Sequence, residues 1–187
     1  MKNKLDFDVT TKYGIAFDPS TNRVYLPRYN EVSYLTGVKG KLVGYQLRDT
    51  VGQGPKYLTV QLREEESLTI ITADFVKDSV CAVVVEDLVS GIHIAKAAAK
   101  NNAPLDVYVN YGVKVNNYLL YQLKDMEHIT VWLDNDSQHV INQAKHILRT
   151  AGLFAPTASL HRVEDYSDPK HYSTDKIIKI MDEAWIQ

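Results

Sequence analysis

Two apolar runs, Val80–Val85 and Ile129–Leu133, each stop at carboxylates: Glu86 after the first, Asp134 and Asp136 after the second. Short runs without polar alternation read as strands buried on both faces of a parallel sheet. A carboxylate just past such a strand lies at the carboxyl edge, where open α/β sheets hold their ligands. Asp134 and Asp136 stand two residues apart, so an extended chain turns them to the same side. Carboxylates gathered on one rim repel one another unless a positive group joins them. Hard oxygen donors of this kind suit Mg²⁺ or Mn²⁺, which commonly serve phosphate chemistry.

The pattern around these runs divides the chain. Tyr13–Phe17, Arg23–Tyr29, Leu42–Arg48 and Lys56–Gln61 are β-rich and separated by turn residues, which predicts a small antiparallel sheet. The acidic run Glu64–Glu66 reads as a solvated loop entering a further strand at Leu68–Ile71. From about residue 78 strands and helices alternate. Strands are expected at Val80–Val85, Asp106–Val109, Ile129–Leu133 and Ser159–Val163. Helices are expected at Val89–Asn101, Asn117–Lys124, Ser137–Thr150 (ended by Gly152) and Thr174–Trp185. The expected architecture is α/β, a parallel-rich sheet flanked by helices and preceded by the small β-rich subdomain. The boundary falls between residues 1–77 and 78–187.

Charge follows the same division. Residues 1–63 carry ten Lys or Arg against five Asp or Glu, a balance of +5 that leaves −7 for the remainder of a chain whose net charge is −2. A basic front beside an acidic back suits a protein that grips a polyanion with one part and holds cations with the other. Solvated surface alone gives the same numbers. No apolar stretch approaches the roughly 20 residues of a membrane span, and the N-terminus has no secretory apolar region. A cytoplasmic protein without membrane contact is expected. The one cysteine, Cys81, excludes a disulfide framework, and the six histidines lack the spacing of zinc ligands. Tyr25, Tyr29, Tyr34, Tyr45 and Tyr57 lie in the basic part, where they either fill the small sheet or stack on bases.

The pieces that carry chemistry occur in the order Pro55-Lys56-Tyr57-Leu58, Val-Val-Val-Glu86, Tyr111-Gly112, Leu-Asp134-Asn-Asp136 and Asp168-Pro169-Lys170. This order resembles the TOPRIM catalytic core of DNA primases of the bacterial replicative and bacteriophage type, over about residues 23–175. The wording of Val-Glu-Asp-Leu-Val-Ser-Gly-Ile, Trp-Leu-Asp-Asn-Asp and Ser-Asp-Pro-Lys-His-Tyr-Ser is nearer the phage versions. There are departures. Asp87 and His139 stand where many members of the family have Gly.

The resemblance implies RNA primer synthesis on single-stranded DNA from ribonucleoside triphosphates, with Mg²⁺ or Mn²⁺, two ions, and no zinc. Glu86, Asp134 and Asp136 are the implied catalytic and metal-binding residues, with Asp168 an outlying ligand. Arg48 and Lys56, and more weakly Arg28, are the implied contacts to template or triphosphate. The basic side chains hold the substrate in line, Arg bidentately, while cations offset charge on the leaving pyrophosphate. With one cysteine and no Gly-x-x-x-x-Gly-Lys-Ser/Thr, the sequence holds neither a zinc module nor a helicase motor. A separate helicase or zinc-module protein, priming with little sequence preference, and a core excised from a longer protein are the readings this leaves open. A phage-encoded protein of this kind would work in the host cytoplasm. Two other readings share the acidic rim: a TOPRIM nuclease, and a binding module of the replication machinery without catalysis.

Overall fold

The computed structural model describes residues 7–63, 68–72, 79–164 and 167–185. The Glu64–Glu66 run and the boundary expected at 77/78 lie outside these residues. Helix α1 (Phe7–Tyr13) opens the chain, followed by strands β1 (Ala16–Asp18), β2 (Arg23–Tyr29), β3 (Glu31–Ser33), β4 (Leu42–Asp49), β5 (Tyr57–Gln61) and β6 (Thr69–Thr72). Then come β7 (Cys81–Val85), α2 (Leu88–Asn101), β8 (Leu105–Val109), α3 (Asn117–Leu123), β9 (His128–Trp132), α4 (Gln138–Phe154), β10 (Ser159–Arg162) and α5 (Thr174–Trp185).

Strands β1, β2, β4 and β5 form the expected antiparallel sheet, in the order β1-β2-β4-β5. The larger sheet runs β10-β9-β7-β8-β6-β3. Its first four strands are parallel, β6 is antiparallel to β8, and β3 is parallel to β6. The fold is thus the α/β architecture read from the sequence. One element of the reading changes: β3 and β6, both from the first 77 residues, extend the large sheet. The front of the chain therefore contributes to both sheets.

Every residue of β7 is buried, as a two-faced central strand requires. Alternate residues serve two cores. Val83 and Val85 join Ile92, Ile177 and Met181 under α2 and α5, while Ala82 and Val84 meet Leu119, Leu123 and Ile147 under α3 and α4. Each such aliphatic side chain contributes about 1.5–3 kcal/mol on burial. Helix α2 comes unusually close to the sheet. A Cβ added at Gly91 would lie 2.6 Å from Val109 Cγ2 and 3.1 Å from Ile71 Cδ1.

Two expectations are corrected. Residues Tyr13–Phe17 do not form one strand, because Tyr13 ends α1 and is buried at 1 % exposure. Gly14, at φ +69°, takes the left-handed turn, and the Ile15 amide donates back to Thr10 O at 2.8 Å. Gly152 does not end α4 but lies inside it, where a Cβ would stand 2.9 Å from Leu160 Cδ1. That glycine admits β10 against the helix. Among the described residues no helix is long and apolar enough to cross a membrane.

Candidate active site

The register Val85↔Val109 and Val85↔Trp132 brings β7, β8 and β9 to a common level at their carboxyl ends. The connection after β7 leads through α2 to β8 and the one after β9 leads through α4 to β10, in opposite directions from these adjacent strands, and such a switch point is the usual ligand crevice of an open α/β sheet. Glu86 emerges from β7 into this crevice and is half-buried. Burial raises its pKa first, and Asp87, Asp134 and Asp168 raise it further against the opposing pull of Lys56. Asp134 behaves alike: burial, Asp168 and Asp136 raise it against Lys170 and His171. Asp136 is exposed.

Between the two aspartates Asn135 turns inward and is 3 % exposed. Its Nδ2 donates to Val163 O at 2.9 Å, and its Oδ1 accepts from Arg162 Nη1 at 3.2 Å. The alternation expected of an extended chain is thereby locked to β10. Asn135 was missed as a site-building residue; the signal is the polar residue between two outward acids.

Asp87 caps α2, accepting from the Ser90 amide at 2.9 Å. Lys170 reaches across from the short 3₁₀ turn Pro169–His171, its Nζ 2.9 Å from Asp87 Oδ2 and also paired with Asp168 Oδ2. Asp168 is 5 % exposed and accepts from the Ser90 hydroxyl through Oδ1. Burial works to raise the Asp87 carboxyl, but Lys170 and the Ser90 bonds outweigh it and hold it below its ordinary value. Burial likewise opposes charge on Lys170, and Asp87 and Asp168 raise its pKa nonetheless.

From the small sheet, Lys56 just before β5 reaches the field of this rim. Arg48 lies opposite Tyr57 in register, with Cζ 5.5 Å from the ring centroid, and Lys56 Nζ is 5.6 Å from the same centroid. Tyr57 is half-buried. Burial raises its phenol most, Asp87 and Glu86 add to this, and Arg48 and Lys170 oppose it. Tyr57 therefore lies in the field of both the acidic rim and the basic pair. Arg28 is elsewhere. Expected as a weak template or triphosphate contact, it is instead 3 % exposed, its Cζ 4.0 Å from the Tyr111 centroid and its Nη1 2.7 Å from Gln61 Oε1. Burial keeps this guanidinium from a surface contact and makes it a joint between the sheets.

Among the described residues no group of three or more His, Cys, Asp or Glu forms a ready-made metal cage. The donor chemistry of Glu86 and Asp134 nevertheless fits a hard divalent cation. Both are carboxylates whose charge is disfavoured by burial and by their acidic neighbours, and a cation between them would relieve that.

No family model and no curated protein matches this sequence. Solved structures do share its fold. Against the zinc-binding and RNA polymerase domains of the Aquifex aeolicus primase the TM-score is 0.60 at 12 % identity, covering 94 % of this chain and 45 % of that one. Against the DnaG catalytic core the TM-score is 0.64 at 13 % identity, covering 96 % of this chain and 68 % of that one. The chain thus spans about half the length of the Aquifex protein's chain. At these identities the likeness concerns the fold: a parallel-rich α/β sheet with an antiparallel sheet beside it, similar to the catalytic core of DnaG.

Proposed function

We propose that this chain is a TOPRIM-type DNA primase core of the bacteriophage kind, joining ribonucleotides into short RNA on single-stranded DNA. The observation that carries this reading is that Lys56 acts on Glu86, while Arg48 and Lys56 flank the Tyr57 ring that itself lies in the field of Glu86 and Asp87. The similarity in fold to the DnaG core supports it.

On this reading Asp134 and Asp136 hold Mg²⁺ or Mn²⁺ together with Glu86. Bound there, the cation would offset charge on the triphosphate and on the departing pyrophosphate. Glu86, at the carboxyl end of β7, would take the proton of the attacking 3′-hydroxyl. Lys56 and Arg48 hold the polyanionic substrate against the rim. Asn135 and the Arg28–Tyr111 pair keep the acidic and basic halves in fixed relation. A hydrolytic enzyme would use the same carboxylates, but the basic pair favours a triphosphate substrate.

The test is primer synthesis on single-stranded DNA with labelled ribonucleoside triphosphates and Mn²⁺ or Mg²⁺, comparing wild type with Glu86→Gln. Labelled oligoribonucleotides from wild type alone support the reading. Metal-dependent loss of the template without RNA would replace it with the nuclease. Neither product nor loss, with no metal binding, would leave a binding module.

A further inference from the structure

The acidic rim is electrostatically divided. On one side Glu86 and Asp134 stand just past the carboxyl ends of β7 and β9. On the other, every carboxylate oxygen of Asp87 and Asp168 is already engaged. Asp87 Oδ1 accepts from the Ser90 amide and Oδ2 from Lys170 Nζ. Asp168 Oδ1 accepts from the Ser90 hydroxyl and the Lys170 amide, and Oδ2 from Lys170 Nζ.

The lysine is held there by its backbone. Asp168 caps the 3₁₀ turn through the Lys170 amide at 3.2 Å, folding the side chain back over the cap. Trp132 fixes the segment on either side, its Nε1 donating to Ser167 O at 3.3 Å and its ring lying 6.0 Å from that of Tyr172. The Lys170 side chain is 16 % exposed, against 20 % for Asp87 and 6 % for Asp168. Swinging it out would leave two half-buried or buried carboxylates facing each other without a counter-charge, which is costly.

We propose that the Lys170 ammonium is a built-in cation on the Asp87–Asp168 side of the rim, so that the site takes one divalent ion, on the Glu86–Asp134 side. This rests on the metal-dependent reading of the site and replaces the two ions implied by family resemblance with one ion and one lysine. Asp168 then serves as a holder of Lys170 instead of a metal ligand.

The experiment is a Mn²⁺ titration of the whole chain without nucleotide, with free Mn²⁺ counted by electron paramagnetic resonance. Wild type should bind one ion, and Lys170→Arg, which keeps the charge, should also bind one. Lys170→Met should bind two, and Mn²⁺ should raise its melting temperature more than that of wild type. Two ions on wild type would overturn the inference, as would an unchanged count in a folded Lys170→Met. If Lys170→Met does not fold, the wild-type and Lys170→Arg counts decide. No bound Mn²⁺ on wild type would overturn the metal-dependent reading itself.

Discussion

Arg28 stacks its guanidinium 4.0 Å from the centre of the Tyr111 ring, joining β2 of the small sheet to the turn that follows β8 in the large one. Tyr111 holds a left-handed conformation at φ 53°, and its hydroxyl meets Thr69 Oγ1 at 2.8 Å. A cation on an aromatic face, desolvated and also bonded to Gln61, contributes more than a surface pair would. Arg28→Met should lower stability by about 2–4 kcal/mol in urea unfolding. Arg28→Lys should recover less than half of that loss, because an ammonium lacks the guanidinium plane. Full recovery by lysine would show that charge alone matters.

Glu86→Gln should separate activity from stability. Because the folded environment raises the Glu86 pKa, its ionisation costs stability as pH rises past the ordinary glutamate range. A neutral isostere avoids that cost. In chelator at pH 8 the variant should melt at or above the wild-type temperature, and with Mn²⁺ supplied it should lack the proposed primer synthesis. A lower melting temperature would mean that Glu86 makes a stabilising contact the rim does not explain.

Lys56 is exposed, so Lys56→Ala should change stability by less than about 0.5 kcal/mol. It lies beside Tyr57 and pulls on Glu86, which on the proposed reading sets it against the substrate. The apparent KM for ribonucleoside triphosphate or template should rise several-fold in steady-state synthesis assays. Unchanged kinetics would remove Lys56 from the site.

How far the sequence announced this molecule depends on the range of the forces involved. β7 and α2 were legible because an all-apolar strand and an alanine-rich helix encode themselves within a short window. β3 was not legible, since three residues in Glu31–Ser33 carry no period and become a strand only by pairing with β6. Arg28 was misplaced for a similar reason. An arginine in a basic segment reads as surface until Tyr111, far along the chain, supplies the ring that buries it. Lys170 stood in view beside Asp168, but its partner Asp87 lies 83 residues away.

Asp106 gives a pH signature outside the candidate site. Burial on β8, then the nearby Glu31, pushes its carboxyl up to about 6. A carboxyl with a raised folded pKa contributes stability at acidic pH, and that contribution is lost as pH rises through about 6. Asp106→Asn should therefore unfold at higher urea than wild type at pH 8, by at most about 3 kcal/mol. The two should converge near pH 4. Parallel stability curves across that range would show that Asp106 is not linked to folding.

Asn135 tests whether the geometry of the acidic loop matters for metal. Its amide is buried and bridges the loop to β10, donating to Val163 O and accepting from Arg162. Asn135→Ala leaves the Val163 carbonyl without this donor, which costs about 1–3 kcal/mol. The larger consequence concerns its neighbours. Without the inward anchor, Asp134 and Asp136 are no longer constrained to the same side, and ordering them again must come out of the binding free energy of the ion. Mn²⁺ affinity should fall about tenfold in calorimetric titration even where the variant is fully folded, since about 1.4 kcal/mol of ordering is a factor of ten. Undiminished Mn²⁺ affinity in a folded Asn135→Ala would show that the carboxylates do not depend on this anchor.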